Sequence, residues 1–231
     1  MAAIHNIVNT VLNILMPVWC LGCGKKGEQL CRPCLNGLFE MHEWCMACKE
    51  FTLEGLCKKC KKGVALDRVF WVSSYGNPLT RNIVGHFKYR GGEKLAPLLA
   101  NIMARTAKGA LDQNAHILSI PLHKRKERER GFNQAELLAE ELRKKLALPV
   151  IQKGILVRMR NNLPQAKTKS REERRENIKG AFAVTDNSSI AGKNILLVDD
   201  VATTGATLFE AASVLKEAGV GKISAIVFAH G

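Results

Sequence analysis

Two neighbouring acids, Asp199 and Asp200, directly follow an apolar run of four residues, and a loop of small and hydroxyl-bearing residues follows them. Two adjacent carboxylates can accept hydrogen bonds from the vicinal hydroxyls of a sugar. The loop can offer backbone N–H groups and threonine hydroxyls to a phosphate, and Gly205 lets the backbone approach that anion because glycine has no Cβ. The segment predicts a ribose phosphate site with Asp199 and Asp200 as catalytic carboxylates and these phosphate contacts: Val201, Ala202, Thr203, Thr204, Gly205, Ala206 and Thr207.

A strand must end where these acids stand, and a helix must begin behind the loop. From Arg68 onward, short β-rich runs alternate with helical segments, which is typical of an α/β parallel sheet flanked by helices. Because ligands of such sheets bind beyond the carboxyl ends of the strands, the acids are predicted to face the ligand. Strands are predicted at 69–75, 116–120, 181–184, 195–199 and 223–228. Helices are predicted from Pro78 behind the cap Asn77, over 96–107, from the cap Asn133 to about residue 145, and over about 207–218.

All eight cysteines lie within the first 60 residues and form four C-x-x-C pairs. Two segments repeat one pattern, offset by 25 residues from Cys20 to Cys45 and by 26 from Cys31 to Cys57. Each repeat supplies four sulfurs, the ligand count of a closed structural zinc site, so two structural Zn²⁺ ions are predicted and catalysis is expected elsewhere. Zinc is favoured over iron–sulfur or disulfide chemistry; pairing within repeats is the simplest assignment, and interleaved pairing stays open. The predicted ligands are Cys20, Cys23, Cys31, Cys34, Cys45, Cys48, Cys57 and Cys60.

The apolar stretch from Ala3 to Val18 has no cationic leader or small-residue cleavage site and is too short to span a bilayer. Its spacing predicts an amphipathic helix that ends at Pro17 and packs on the body of the protein, with contact to a partner or a membrane surface as the alternative. We therefore expect no membrane insertion and a cytoplasmic protein, whose reducing surroundings favour metal thiolates. Two domains are expected: residues 1–65, with this helix and the cysteine repeats, and residues 66–231, the α/β body.

The chain is basic, with a formal net charge of +14 over 231 residues. Much of the excess lies in the runs 124–130 and 158–179, which suits an anionic ligand or nucleic acid and is equally compatible with a solvated basic face. Aromatic residues make up only 6% of the chain, so few side chains can stack on bases and sequence-specific readout is not expected.

The segment 195–207 resembles the phosphoribosyl pyrophosphate loop of type I phosphoribosyltransferases, in which a hydrophobic strand, an acidic pair and a Thr-Gly-x-Thr loop follow one another. The resemblance implies a type I phosphoribosyltransferase fold for 66–231, with a small zinc-ribbon module on its N-terminal side. It also implies phosphoribosyl pyrophosphate as the ligand, with Mg²⁺ bound to its oxygens. The turn after Ile120 would contact pyrophosphate and residues 158–169 would form a lid; the turn contacts implied are His123, Lys124 and Arg125.

A narrower resemblance rests on motifs along nearly the whole chain. Pro121-Leu122-His123, the run from Arg128 to Gln134, Phe87-Lys88-Tyr89 and the double cysteine repeat are similar to the late-competence ComF family. The same holds for Gln165, Arg174, Asn177, Gly180 and Phe182. This resemblance implies a phosphoribosyltransferase-like protein that acts in the uptake of transforming DNA. The further lid or anion contacts that it implies are Lys88, Arg128, Arg130, Arg158, Gln165 and Arg174.

Two functions stay open at this level. The first is enzymatic, a phosphoribosyltransferase of nucleotide or amine metabolism whose acceptor the motifs do not identify. The second is a binding role, in which the anion site is kept, the basic surface contacts single-stranded DNA and the cysteine module docks a helicase or DNA-loading partner. The family resemblance favours the second role for physiology.

Overall fold

The structure of this chain, a computed structural model, describes residues 18–39, 43–89, 91–160 and 176–231. The predicted N-terminal helix lies outside these ranges. So do residues 161–169 of the predicted lid, together with Gln165 and Arg174. Within the described ranges no helix combines the length and the apolar composition needed to cross a membrane.

Four parallel strands form the central sheet and confirm the predicted α/β architecture. The first and last strands of the chain pair with each other, so the order across the sheet is β1-β6-β5-β2. β5 therefore lies inside the sheet, with a neighbour on each side. The strands of the described residues are β1 (Arg68–Ser74), β2 (Ala115–Ser119), β3 (Leu156–Arg158), β4 (Phe182–Val184), β5 (Asn194–Ala202) and β6 (Ile223–His230).

Helices begin where the sequence provides caps. The side chain of Asn77 accepts a hydrogen bond from the backbone N–H of Leu79 at 2.9 Å, and that of Asn133 accepts one from Ala135 at 3.0 Å, as predicted. A short 3₁₀ turn, Gly92–Leu95, precedes the fourth helix. The helices are α1 (Arg32–Asn36), α2 (Lys58–Lys61), α3 (Pro78–Phe87), α4 (Ala96–Ala107), α5 (Lys124–Arg130), α6 (Gln134–Leu146) and α7 (Ala206–Glu217).

The strand predicted at 181–184 does not belong to the parallel sheet. β4 pairs antiparallel with β3 in a separate two-stranded ribbon, in which Val157 stands opposite Ala183. The sequence of a short apolar strand does not indicate which strand it pairs with or in which direction. The pattern therefore could not distinguish a strand of the parallel sheet from a strand of an antiparallel ribbon. The same pairing places Arg158 at the end of a strand and not in the loop predicted to begin there.

The two faces of the sheet carry separate apolar clusters. Along β5, Ile195 and Leu197 belong to one cluster, whereas Leu196 and Val198 belong to the other, as the alternation of side chains along a strand requires. The first face is covered by α7, and we call it the α7 face. The opposite face is covered by α3, α4 and α6, and we call it the α4 face.

The cysteine segments pack on both faces of the sheet. Cys20 and Cys31 are buried in the cluster of the α4 face, and Cys45 and Cys57 in the cluster of the α7 face. The segment between Cys45 and Cys57 runs beside β1, the edge strand, where the N–H of Val69 donates to the carbonyl oxygen of Glu54 at 3.0 Å. The cysteine segments thus occupy one open edge of the sheet. Division of the chain at 65/66 into two folding units stays a prediction.

The contact of Gly55 with β1 yields a first prediction. Gly55 and Gly24 both adopt left-handed backbone conformations, with φ of +72° and +71°. A Cβ on Gly55 would overlap the carbonyl of Val69 and lie 2.8 Å from the ring of Trp71, whereas a Cβ on Gly24 would meet nothing within 4 Å. Gly24→Ala should therefore cost only the left-handed strain of about 1 to 2 kcal/mol. Gly55→Ala should cost at least about 2 kcal/mol more.

Urea unfolding of both variants measures this difference. Equal losses of unfolding free energy would show that the second cysteine segment is not held against β1 in solution.

Candidate functional site

The acidic pair stands where β5 extends beyond one of its neighbours. β2 stops opposite Val198, while β6 continues alongside β5 to the pairing of Ala202 with His230. Asp199 and Asp200 are therefore flanked by a strand on the β6 side only. β5 runs to Ala202, three residues past its predicted end, and the carboxyl edge of the sheet opens beside the acids, where ligands of parallel sheets bind.

The loop behind the acids presents a helix N-terminus. Gly205 has φ +74° and ψ −1° and precedes α7, whose first turn contains no acidic side chain. The N–H of Ala206 donates weakly to the hydroxyl oxygen of Thr204 at 3.4 Å. The remaining N–H groups of the first turn and the positive end of the helix dipole suit a phosphate. The predicted loop residues 203–207 thus form one continuous turn at the start of α7.

The two carboxylates repel each other and differ in their partners. Oδ1 of Asp199 accepts a hydrogen bond from the N–H of Asp200 at 2.8 Å. Burial raises the pKa of the Asp199 carboxyl well above its ordinary value, and the negative charge of Asp200 raises it further. Oδ2 of the buried Asp200 has no hydrogen-bond partner among the described residues and lies 3.5 Å from Nζ of Lys88. A buried carboxylate oxygen of this kind is ready to accept a ligand hydroxyl or a cation.

Cations from three elements lie near one another at this edge, and two of them interact with the acidic pair. Lys88 follows the last residue of α3, Arg158 ends β3, and Lys126 lies in α5. Burial lowers the pKa of Arg158, and the charge of Asp199 opposes that change, so the two groups interact. Burial also lowers the pKa of Lys126, and the nearby positive charges of Arg158 and Arg130 lower it further. Crowded cations of this kind favour the binding of a multivalent anion.

The helical form of 124–130 sorts the predicted cations into two sets. Lys126 and Arg130 are half-buried at positions i and i+4, on one face of α5. Lys124, Arg125 and Arg128 are exposed. Sequence reasoning selected Lys124 and Arg125 and missed Lys126; the signal that would have found it is the i, i+4 spacing with Arg130.

The contacts predicted for the start of this helix have local partners. Nδ1 of His123 accepts the N–H of Arg125 at 3.2 Å, so His123 caps α5. The side chain of Arg125 pairs with Glu129 at 2.9 Å on the exposed face. Among the described residues, no hydrogen bond or ion pair joins either side chain to the acidic pair.

Asn133 and Gln134 connect α6 to the same edge. Nδ2 of Asn133 donates to the carbonyl oxygen of Ile120, just past β2, at 3.1 Å, in addition to capping α6. Gln134 is buried, and its Oε1 accepts a hydrogen bond from Nη1 of Arg130 at 2.9 Å. Gln134 therefore orients Arg130, while its own Nε2 has no partner among the described residues.

Comparison with known proteins places these features in a family. The family model described as a phosphoribosyl transferase domain matches residues 129–231. The chain is 32% identical to competence protein ComFC of Bacillus subtilis over 205 residues, which cover 84% of this chain and 81% of that protein. The chain belongs to the ComF family.

Other ComF-family relatives extend the comparison. Competence protein F of Haemophilus influenzae is 29% identical over 174 residues, or 72% of this chain and 75% of that protein. DNA utilization protein YhgH of Escherichia coli K12 is 29% identical over 174 residues, or 72% of this chain and 74% of that protein. The solved structure of glutamine phosphoribosylpyrophosphate amidotransferase from B. subtilis, complexed with ADP and GMP, covers 59% of this chain and 26% of that chain, with 15% identity and a TM-score of 0.40. The domain match and the sheet order assign the phosphoribosyltransferase fold to this ComF-family chain.

The eight cysteines of this ComF-family chain form two clusters. The four sulfurs of Cys20, Cys23, Cys31 and Cys34 lie within 4.8 Å of one another, as do those of the second set, Cys45, Cys48, Cys57 and Cys60. Pairing within repeats is therefore confirmed. Sulfur separations of 3.5 to 3.6 Å are close to the roughly 3.8 Å expected around a tetrahedral zinc ion and far from the ~2.05 Å of a disulfide. The clusters can hold zinc ions, as predicted.

The thiols of the first cluster have unequal proton affinities. Burial raises the pKa of Cys20, but the N–H groups of Cys31, Cys23 and Gly22 bring it down to about 6. A hydrogen bond with Cys31 raises the pKa of Cys34 to about 12. Four thiolates so close together require a cation, which a bound metal ion would supply.

The raised pKa of Asp199 yields a second prediction. When the pKa of an acid is higher in the folded than in the unfolded protein, its contribution to stability is fully present below the unfolded-state pKa. That contribution is lost as the pH rises through the folded-state pKa, because the buried acid must then carry a charge. Asp199→Asn removes that charge, so the Tm should rise by about 2 °C or more at pH 7.5. The gain should shrink as pH falls toward 4.

Asp186→Asn is the control of opposite sign. Hydrogen bonds, first that from the Ser188 hydroxyl, lower the pKa of Asp186, so its contribution to stability is present at neutral pH and lost on acidification. Its Asn variant should melt lower at pH 7.5. Thermal melts from pH 5 to 8 test both variants, and an Asp199→Asn protein that melts below wild type at pH 7.5 would contradict a raised pKa of Asp199.

Proposed function

We propose that this chain binds phosphoribosyl pyrophosphate at the carboxyl edge of its sheet and that this binding serves DNA uptake or utilisation in the cytoplasm. The observation that carries the proposal is the buried Oδ2 of Asp200, which lies 3.5 Å from Nζ of Lys88 and accepts no hydrogen bond in the described part of the chain. It lies one short loop before the anion-binding turn of α7. The family match to a phosphoribosyl transferase domain supports the same ligand.

Each part of the ligand has residues of suitable chemistry. Asp199 and Asp200 accept hydrogen bonds from the ribose hydroxyls, and the turn 203–207 binds the 5-phosphate through N–H groups and hydroxyls. The pyrophosphate faces the cations of the edge. These are Lys88, Lys126, Arg130 and Arg158, with His123, Lys124 and Arg125 as further proposed contacts and the lid as proposed from sequence.

Magnesium fits this site as a companion of the ligand. The carboxylates of Asp199 and Asp200 are hard oxygen donors, and the buried Oδ2 of Asp200 accepts no hydrogen bond from the described residues and is ion-paired with Lys88 at 3.5 Å. Mg²⁺ neutralises pyrophosphate charge when it is bound. The protein residues position the ribose and offset the remaining charge.

Turnover is the second candidate function, and the fold match supports it. In that reaction an acceptor amine or base forms a bond to C1 of the ribose, while the bond between C1 and the pyrophosphate oxygen breaks and pyrophosphate departs with its electron pair. The cations of the edge stabilise the departing charge. Pyrophosphate release in the presence of a panel of bases and amines separates this function from binding alone.

The proposed DNA role rests on charge and on the names of the relatives. Those names are competence protein and DNA utilization protein. The chain carries a formal net charge of +14, and α5 exposes Lys124, Arg125 and Arg128 beside the ligand edge. Single-stranded DNA binds such surfaces through its phosphates. The zinc-bearing segments would dock a helicase or DNA-loading partner.

The ligand assignment predicts a loss of affinity on neutralisation of the acids. Asp199→Asn/Asp200→Asn should weaken the binding of phosphoribosyl pyrophosphate with Mg²⁺ at least tenfold, or about 1.4 kcal/mol, because amides accept ribose hydroxyls and bind Mg²⁺ less well than carboxylates. Titration calorimetry measures the change. Asp186→Asn, which removes a carboxylate from an exposed turn, should bind like wild type. Unchanged affinity in the double variant would refute the assignment.

The DNA assignment predicts strong salt dependence. The logarithm of the affinity for a single-stranded oligonucleotide should fall linearly with the logarithm of salt concentration, with a slope near −0.7 per phosphate contact. Arg128→Gln/Arg130→Gln should make that slope less steep by the equivalent of about one to two phosphate contacts. The matched control is Arg143→Gln/Lys144→Gln on α6, where both cations are paired with glutamates. A salt-independent isotherm, or equal slopes in the two variants, would argue against these contacts.

A further inference from the structure

The side chain of Met46 connects the second cysteine cluster to the phosphate turn. Met46 lies directly after Cys45 and is 1% exposed. Its Cε lies 3.1 Å from the position that a Cβ on Gly205 would occupy, and the ring of Phe209 lies 2.8 to 2.9 Å from the same point. Gly205 is therefore enclosed on that side by one residue of α7 and one residue of the cysteine segment.

This enclosure bears on the conformation of the turn. Gly205 adopts the left-handed backbone conformation, with φ +74°. A glycine on which nothing packs can also adopt many other backbone conformations. With Met46 and Phe209 in place, that side of the turn is filled, which restricts the backbone of 205–207. A thioether suits this position because it is flexible and polarisable and can adapt to the ring of Phe209.

The position of Met46 depends on the metal ligands that flank it. Cys45 and Cys48 bracket the turn that carries it, and Cys45 is fully buried. The N–H of Met46 donates to the carbonyl oxygen of Gly55 at 2.9 Å, which ties the turn to the segment that leads to Cys57. Loss of the ion would release both flanking thiolates and with them the backbone that places the Met46 methyl group.

Within the described ranges the first cluster shows no such connection. Leu21 follows Cys20 as Met46 follows Cys45, but it packs in the cluster of the α4 face. Its carbonyl oxygen accepts the side-chain amide of Asn82, in α3, at 2.6 Å. The buried residues 202, 206, 208 and 209 all belong to the α7 face. The two repeats thus have equivalent ligands and unequal access to the phosphate turn.

We infer that Met46 is a positioning residue for the phosphate turn, so that metal occupancy of the second cluster, and not of the first, sets the affinity of the turn for a phosphate-bearing ligand. The affinity part rests on the proposed function. The conformational part is independent of it, because the state of the turn can be measured without ligand.

A matched set of variants tests the inference. Met46→Ala should accelerate amide hydrogen exchange of residues 203–209 in the ligand-free protein at least about fivefold and raise the Kd for phosphoribosyl pyrophosphate about tenfold. Met46→Leu, which conserves volume, should stay within about twofold of wild type in both measurements. Leu21→Ala truncates the equivalent side chain and should leave both measurements of the turn unchanged while lowering Tm. Equal effects of Met46→Ala and Leu21→Ala on the turn would overturn the inference.

Removal of one metal at a time gives a second test. Cys23→Ser and Cys48→Ser each replace an exposed ligand, one per cluster, and bound zinc should fall from about two ions per chain to about one in each. Only Cys48→Ser should accelerate exchange in 203–209 and weaken phosphoribosyl pyrophosphate binding. The same loss of affinity in Cys23→Ser would refute the inference. If Cys48→Ser does not fold, the Met46 series decides.

The two proposals fail in different ways. A wild-type protein that binds no phosphoribosyl pyrophosphate with Mg²⁺ refutes the proposed ligand. The contrast in hydrogen exchange between Met46→Ala and Leu21→Ala would then still support the positioning role, and its absence would refute that role whether or not the ligand binds.

Discussion

Repulsion between the carboxylates of Asp199 and Asp200 is the constraint that the rest of the site must satisfy. Two acids placed next to each other at the end of an inner strand lose hydration, and the pKa of Asp199 rises accordingly. The fold offsets this cost with cations from separate elements, of which Lys88 pairs with Asp200 and Arg158 acts on Asp199. A ligand with hydroxyl groups and a dianionic group could donate hydrogen bonds to the carboxylates and form ion pairs with the cations at the same time.

The cysteine segments contribute to the body as well as to their own metal sites. Their small size leaves little apolar surface for an independent core, and metal binding would supply the stability that burial of apolar surface cannot. Here each segment also inserts buried residues into one of the two clusters of the sheet. The second segment reaches the turn before α7 through Met46, so a cysteine cluster that can hold a metal ion and the candidate phosphate turn share one apolar contact.

The sequence predicted the features that are local along the chain. The acids, the glycine turn and the caps Asn77 and Asn133 lie within a few residues of the elements they define, and the cysteine ligand sets repeat at fixed spacing. Features that depend on distant partners were not predicted. The antiparallel pairing of β3 with β4 is one, the contact of Met46 with Gly205 is another, and Lys126 was passed over because its inward position appears only when 124–130 is helical.

The pairing of β1 with β6 fixes the order in which the chain can fold during synthesis. β1 precedes β6 by about 150 residues, and the described ladder gives β1 no other partner strand. β1 must therefore remain without its partner strand until residues 223–230 have left the ribosome. Contacts of such long sequence separation slow folding. Early capture of metal by the first 60 residues would protect their thiols from oxidation during that interval.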